Sequence, residues 1–299
     1  MRRDQQTVLS ANSKANIYLR ILRRRPDGYH DLDSLFVPLE NPHDRLHVVP
    51  KRDPGLELGC SHPALGGRDN ILHTAYALFC QASGRRPGIH VWLEKSIPQG
   101  AGLGGGSSDA ASLLKYLNDL SPRENRLSHE RLLDTAKQVG ADVPFFLSNV
   151  PAWVGGIGEK IEPVTLDVIS GWLLIACPKE QVATAWAYKT WDKTHGHMPG
   201  LPGLTRNKKP DKDSACTAGR VFWNSFEPIV YKAFPVLFNV KCLLLTSGAR
   251  AAVLSGSGSA IVGLFKTEQE CHLAQNLLDQ KQITVYRQKI TPWWGVAKW

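Results

Sequence analysis

No apolar run in the chain approaches the roughly 18 residues that a membrane helix requires; runs such as those at residues 172–177 and 242–245 are strand-sized. A secretory leader is missing too, because Met1-Arg-Arg-Asp-Gln-Gln leads into polar residues and then Lys14 with no apolar core between them. Cys60, Cys80, Cys177, Cys216, Cys242 and Cys271 lie far apart and form no C-x-x-C pair. They read as reduced, mostly buried thiols, and not as zinc ligands or a disulfide framework. There is no internal repeat, no low-complexity tract and no long basic tail. These absences together predict a cytoplasmic protein that neither spans a membrane nor needs a disulfide to fold.

What is present is a chain of 299 residues, 42% hydrophobic and 21% charged. That composition is ordinary for globular proteins, and the length is a prior for two domains at roughly 150 residues each. Lys and Arg total 36 against 27 Asp and Glu, a net charge of +9. The excess suits an anionic partner. It is dispersed in small groups such as Arg23-Arg24-Arg25 and Lys208-Lys209, which favours a phosphorylated small molecule over nucleic acid. The nine tryptophans are scattered and form no stacking platform for bases. His195 and His197 have a metal-like spacing but sit in a polar stretch with no Cys partner nearby, so no metal site is expected there.

Periodicity predicts strands at residues 14–22, 35–39, 45–49, 89–93, 171–177, 251–254 and 260–265. Helices are expected at 70–82, 107–117, 128–139, 184–191, 222–234 and 268–280. Arg25-Pro26-Asp27-Gly28 is a turn, since Pro pre-sets φ and Gly accepts a positive one. Residues 192–214 read as a long polar stretch. Strands and helices mix without a regular βαβ beat, which predicts α+β and not a doubly wound sheet.

The most informative segment is Ile97-Pro-Gln-Gly-Ala-Gly-Leu-Gly-Gly-Gly-Ser-Ser-Asp-Ala-Ala111, with five glycines in seven residues before a helix. Glycines let backbone approach an anion without a Cβ clash, and the unpaired N–H groups of the new helix point into the same space. Ser107, Ser108 and Asp109 are expected to cap that helix. The segment is a phosphate cradle. A dinucleotide fingerprint fits poorly, because residues 95–99 intervene after the strand and no acidic residue follows a second strand. The Walker pattern fails for want of a Lys after the glycines, and the protein-kinase set for want of H-R-D and D-F-G.

The cradle resembles the ATP-binding motif of the galactokinase, homoserine, mevalonate and phosphomevalonate (GHMP) kinase superfamily. Lys14-Ala-Asn16, Arg24-Arg-Pro-Asp-Gly-Tyr-His30, Gly140-Ala-Asp-Val-Pro-Phe-Phe146, Ser255-Gly-Ser-Gly258 and Trp294-Gly-Val-Ala-Lys298 narrow the resemblance to the 4-diphosphocytidyl-2-C-methyl-D-erythritol kinases of the non-mevalonate isoprenoid pathway, over nearly the whole chain. The resemblance implies an ATP-binding domain with a ribosomal-protein-S5-like fold over residues 1–160. It implies a ferredoxin-like substrate domain over residues 161–299, with the active site in the cleft between them. It implies ATP with Mg²⁺, whose ligands it does not name, and a cytidine diphosphate conjugate of methylerythritol as the small-molecule partner.

Residue by residue, Asp142 matches the family's catalytic aspartate and Lys14 its catalytic lysine. Pro98, Gln99, Gly100, Ala101, Gly102, Leu103, Gly104, Gly105, Gly106, Ser107 and Ser108 match the ATP-phosphate loop, and Asn70 an asparagine near the nucleotide. Tyr29 and His30 match residues that hold the cytosine, and Asn16, Thr184 and Tyr188 other substrate contacts. Asn12-Ser13 replace the family's Pro-Ala before the lysine, and Lys179-Glu180 stand where glycines are common. A sister kinase acting on homoserine or mevalonate is the alternative, but it has no use for R-R-P-D-G-Y-H. A catalytically dead phosphate- or RNA-binding relative is a third reading, against which Lys14 and Asp142 stand intact.

Overall fold

The structure is a computed structural model describing residues 6–166, 170–195 and 221–290. His197, Cys216, Lys208-Lys209 and the motif at residues 294–298 lie outside the described residues, as does most of the polar stretch. The chain forms two compact units. The first comprises Met1–Ser13, Pro42–Pro98 and Gly104–Asn149; the second comprises Lys14–Asn41, Gln99–Leu103 and Val150–Trp299. The division cuts through two long strands, β1 (Thr7–Arg24) and β2 (His30–Pro50).

In the first unit the ends of β1 and β2 carry β3 (Gly55–Cys60) and β4 (Gly88–Glu94), in the order β3-β4-β2-β1. β3 and β4 are parallel and joined through helix α1 (Ile71–Ser83), while β4 pairs antiparallel with β2. Strand β4 alternates strictly: Ile89, Val91 and Leu93 point into the core, and Trp92 lies outward across Gly59. Helix α1 starts where Asn70 accepts the Leu72 N–H at 2.9 Å, and stops at Gly84, whose φ of 69° closes the last turn onto the Cys80 carbonyl. Helices α2 (Gly105–Leu120), α3 (His129–Val139) and α4 (Val143–Ser148) complete the layer, burying Leu113, Leu114, Leu117, Ala136 and Phe145.

In the second unit, β1 pairs in parallel with the short β8 (Trp223–Asn224), and β2 carries β5 (Ala152–Gly156) with β6 (Lys160–Pro163) beyond it. A separate antiparallel sheet has the order β11-β7-β10-β9, formed by β7 (Gly171–Cys177), β9 (Ala251–Leu254), β10 (Ile261–Phe265) and β11 (Thr284–Ile290). Helices α5 (Thr184–His195), α6 (Glu227–Ala233) and α7 (Pro235–Thr246) lie between β7 and β9, and α8 (Glu268–Gln280) between β10 and β11. A β-α-β-β-α-β order with this strand sequence is a ferredoxin-like plait. Its core runs through Leu174, Ala176, Leu237, Leu244, Phe265, Cys271 and Leu278. The molecule is α+β, as predicted.

Four expectations are corrected. Residues 35–39 and 45–49 are not two strands but parts of one, β2, which Pro38 and Pro42 do not break. The helix expected at 222–234 spans Glu227–Ala233, because Trp223 and Asn224 pair with β1 as β8. Ser107, Ser108 and Asp109 do not cap α2: Gly104, at φ 75°, is the N-cap, and the helix begins two residues earlier than expected. Residues 192–195 belong to α5, so the polar stretch begins four residues later than its composition indicates. Among the described residues, no single helix is long and apolar enough to cross a membrane.

One buried ionic cluster locks the start of α2 to the end of β4. Asp44 accepts the Ser96 and Ile97 N–H groups at 2.6 and 2.8 Å, and Lys95 Nζ contacts both Asp44 Oδ2 and, at 2.8 Å, Asp109 Oδ2. Burial, helped by the Asp44 charge and opposed by Lys95, pushes the Asp109 carboxyl up to about 8. An acid whose folded pKa is raised binds its proton more tightly folded than unfolded, so its contribution to stability falls as pH rises from about 4 to about 8. Asp109→Asn keeps the shape and removes that ionisation. The melting temperature of Asp109→Asn relative to the parent is therefore expected to rise by at least about 2 °C between pH 5 and pH 8. A constant difference across that range, by thermal denaturation, would contradict the assignment.

Candidate active site

In the second unit, Lys14 and Asn16 sit on the buried stretch of β1. The Lys14 N–H donates to the Leu103 carbonyl at 2.9 Å, its Nζ donates to Asn16 Oδ1, and the same ammonium lies 4.6 Å above the centre of the Phe36 ring. Asn16 Nδ2 donates to Ser34 Oγ at 3.0 Å, and Ser34 donates onward to the Tyr18 carbonyl. The Asn16 N–H donates to Ser255 Oγ at 3.1 Å, and that hydroxyl donates to the Gly102 carbonyl at 3.1 Å. One chain of hydrogen bonds thus joins the lysine strand, the glycine loop and the Ser255 turn.

The loop over Gln99–Leu103 is anchored by its small apolar residues. Ala101 and Leu103 are buried. The Gly100 and Ala101 carbonyls accept the Ser259 and Ala260 N–H groups at 3.2 and 3.1 Å. Gly100, Gly102 and Gly104 all hold φ between 66° and 75°. Gly102 is the tightest: a Cβ there would lie 2.2 Å from the Ser255 carbonyl oxygen. These carbonyls are spent inward on the protein, which leaves the loop's N–H side for an anion.

In the first unit, Gly104 opens α2, and the Ser108 N–H donates to the Gly104 carbonyl at 3.0 Å. The N–H groups of Gly105, Gly106 and Ser107 precede it and form the positive end of a 16-residue helix. A Cβ at Gly106 would lie 3.7 Å from Ile71 Cγ2, and one at Gly140 3.8 Å from Ile71 Cδ1. Ile71 is thus flanked by the α2 entry and by the bend that carries Asp142, directly ahead of α4. Asn70, adjacent to Ile71, is occupied at the head of α1: its Oδ1 caps Leu72 and its Nδ2 donates to the Leu65 carbonyl at 2.7 Å. Pro98 stands where β4's trailing segment enters the loop.

The arginine-rich turn makes its own fold. The Gly28 N–H donates to the Arg25 carbonyl at 3.1 Å, with Gly28 at φ 86°, and Asp27 Oδ1 accepts the Tyr29 N–H at 3.1 Å. Arg25 pairs with Asp27 at 2.8 Å and Arg23 with Asp31 at 2.6 Å; these guanidinium hydrogen bonds hold both carboxyls below their ordinary range. The neighbours Tyr29 and His30 then face opposite ways: Tyr29 is 61% exposed and His30 only 7%. The His30 ring stacks on Tyr188 at 4.7 Å, meets Trp191 edge-on at 5.8 Å, and bonds Asp192 Oδ1 through Nε2 at 2.7 Å. Thr184, at the start of α5, shares a hydrogen bond with Ser257 at 2.9 Å.

Within the second unit the structure therefore brings together Lys14 and Asn16 with Gln99, Gly100, Ala101, Gly102 and Leu103, and His30 with Tyr188. Within the first it sets Gly106 and Gly140 beside Ile71, the chain neighbour of Asn70. Tyr29 is not stacked on another ring among the described residues. Sequence reading missed Ser34, Ser255 as a strut, and Asp192. Only the S-G-S-G motif pointed to Ser255; Asp192 had no signal beyond its place one turn past Tyr188.

The GHMP kinases N terminal domain matches residues 70–149, and the GHMP kinases C terminal domain matches residues 208–279. A 4-diphosphocytidyl-2-C-methyl-D-erythritol kinase from Nitratidesulfovibrio vulgaris (strain Hildenborough) is 42% identical over 283 residues, spanning 94% of this chain and 97% of that protein. A protein of the same name from Solidesulfovibrio magneticus is 43% identical over 279 residues, spanning 92% and 93%. The chain belongs to the 4-diphosphocytidyl-2-C-methyl-D-erythritol kinase family. The crystal structure of a 4-(cytidine 5'-diphospho)-2C-methyl-D-erythritol kinase superposes with a TM-score of 0.77 at 33% identity, covering 95% of this chain and 98% of the other. A homoserine kinase from Cytophaga hutchinsonii, at 19% identity and a TM-score of 0.67 over 95% and 94%, shares the fold.

As a member of this kinase family the chain should be most sensitive where its glycine loop is most crowded. Gly102→Ala combines a left-handed φ with a 2.2 Å approach to backbone and should destabilise by at least about 2 kcal/mol. Gly100→Ala has a similar φ, but its Cβ would sit 3.5 Å from the Gln181 side chain, an ordinary contact, so only about 1 kcal/mol is expected. Urea unfolding of the two variants checks the ranking, and equal losses would show that the Ser255 contact yields freely.

Proposed function

We propose that the chain transfers the γ-phosphoryl group of ATP to the 2-hydroxyl of 4-diphosphocytidyl-2-C-methyl-D-erythritol, in the cytoplasm, as a step of the non-mevalonate isoprenoid pathway. The observation that carries this reading is the 42% identity to a kinase of that name across 94% of this chain and 97% of the other. The sister reading, a homoserine or mevalonate kinase, rests on likeness of fold alone, at 19% and 11% identity. We assign ATP binding to residues 1–160, and we assign acceptor binding to residues 161–299 together with Asn16, Tyr29 and His30.

The residues fit ATP. Positive-φ glycines at 100, 102 and 104 and the α2 N-terminus suit a triphosphate bound by backbone N–H groups. In this reading residues 98–108 hold the phosphates and Asn70 borders the nucleotide. Mg²⁺ would ride on the phosphates, where such ions keep few protein ligands, and would supply neutralisation of their charge. Asp142 takes the proton of the 2-hydroxyl, whose oxygen bonds to the γ-phosphorus as the bond to the ADP oxygen breaks. Lys14 supplies the cation beside the transferring group, because phosphoryl transfer depends on positioning and charge stabilisation more than on covalent help. Asn16, Tyr29, His30, Thr184 and Tyr188 hold the acceptor, Tyr29 offering its exposed ring to the base.

Purified protein with ATP, Mg²⁺ and a panel of acceptor alcohols should consume ATP with the cytidine diphosphate conjugate and not with homoserine or mevalonate. The reverse preference would overturn the proposal. Asp142→Asn is isosteric and cannot take the proton, so turnover should fall at least about 10²-fold while ATP still binds. Gly104→Val forces a branched side chain onto φ 75° at the N-cap of α2 and should weaken ATP binding by calorimetry while affinity for the conjugate alone holds.

A further inference from the structure

His30 is enclosed by groups that settle what its ring can do. One face stacks on Tyr188, Trp191 meets it edge-on, and Nε2 is engaged with the carboxylate of Asp192 at 2.7 Å. The other carboxylate oxygen faces a cation, with Arg24 Nε 3.5 Å from Asp192 Oδ2. An ionised carboxylate only accepts hydrogen bonds, so Nε2 must carry the hydrogen, and in a neutral imidazole the other nitrogen is then an acceptor. Nothing bonds Nδ1 among the described residues, which makes it the ring nitrogen left to a ligand.

A pyrimidine base presents one of two groups at its 4-position: an amino donor in cytosine, or a carbonyl acceptor in uracil. An Nδ1 acceptor pairs with the first and opposes a lone pair to the second. We propose that Asp192 is the positioning residue that sets base specificity, by holding His30 as the Nε2–H tautomer whose Nδ1 accepts from the exocyclic amino group of a 4-aminopyrimidine. This rests on the function proposed above. It adds a residue to the acceptor site and gives the arginine-rich turn a role there: Arg24 braces the carboxylate that orients the next residue but five.

Asp192→Asn tests it. The amide can accept the Nε2–H as before, or turn over and donate to Nε2, which frees His30 to take the Nδ1–H tautomer and donate to a carbonyl. The parent should prefer the cytidine over the uridine conjugate by roughly tenfold or more in kcat/KM. In Asp192→Asn that ratio should shrink at least about threefold, chiefly because kcat/KM for the uridine conjugate rises. A merely structural loss lowers both conjugates alike and leaves the ratio where it was, which would overturn the proposal while leaving the kinase assignment intact. A parent indifferent to the base would overturn the acceptor assignment of His30 itself. An activity-independent reading comes from long-range ¹H–¹⁵N correlation on the full chain labelled with ¹⁵N-histidine, with His30 assigned by its loss in His30→Gln. Nε2 protonated and Nδ1 bare is expected; Nδ1 protonated, as the other tautomer or as imidazolium, sinks the inference.

Discussion

The Ser255 hydroxyl accepts the Asn16 N–H and donates to the Gly102 carbonyl, both at 3.1 Å, from a side chain with no solvent exposure. A buried hydroxyl with donor and acceptor both engaged tolerates little displacement of either partner, because an unmade bond there costs more than a made one contributes. Gly102 is held so close to this turn that only hydrogen fits at its Cα. The loop, in turn, receives the Lys14 N–H through Leu103. Residues 239 apart in sequence thus fix one another, and the conformations of Gly100 and Gly102, the placement of Lys14 and the course of β1 are all set by that strut.

Such a strut explains which parts of the molecule could be read in advance. The glycine loop announced itself because its chemistry is local: a phosphate cradle needs positive φ and open N–H groups, and five glycines before a helix state both. The turn before Tyr29 was legible for the same reason, since Pro26, Asp27 and Gly28 each prescribe their own backbone. Strand β4 was legible through its alternation, and α1 through the helical spacing of residues 70–82. By contrast, β11 was missed: its Thr-Val-Tyr-Arg-Gln-Lys-Ile run mixes exposed, partly buried and buried residues without alternation, and among the described residues it pairs with β7 alone. Helix α7 was hidden because apolar residues occupy its outer face as well: Leu237, Val240 and Leu244 are buried in the core of the second unit, while Val236, Phe238 and Leu245 are exposed. The partners of the site were the least legible. Asp192 meets His30 across 162 residues, and no spacing rule connects them.

The basic excess of the sequence also takes a different meaning in the structure. Arg23 and Arg25 are bound to Asp31 and Asp27, and Lys95 to Asp44 and Asp109. Much of the local positive charge that composition assigns to anion binding is therefore structural, fixing a turn or a helix start. In the proposed function, anion recognition falls instead on the backbone of residues 98–108. This agrees with the loop's use of its carbonyls inward, on Ser259, Ala260 and Ser255, because a peptide whose carbonyl points into the protein turns its neighbour's N–H outward.

Two kinds of recognition are thereby separated by their chemistry. Backbone N–H groups bind phosphate without regard to what the phosphate is attached to, and side chains cannot be substituted to alter them. A base is read by side chains with directional donors and acceptors, where a single proton on an imidazole decides between partners. The first kind demands crowding and glycine, as at Gly102; the second demands an enclosed ring with one nitrogen fixed, as at His30 between Tyr188, Trp191 and Asp192. Substitutions that retune the acceptor therefore belong on β2's first residue and on α5, where they leave the hydrogen bonds of the glycine loop untouched. On the proposed function, changes in the loop alter nucleotide binding and stability together, because the same peptides serve both.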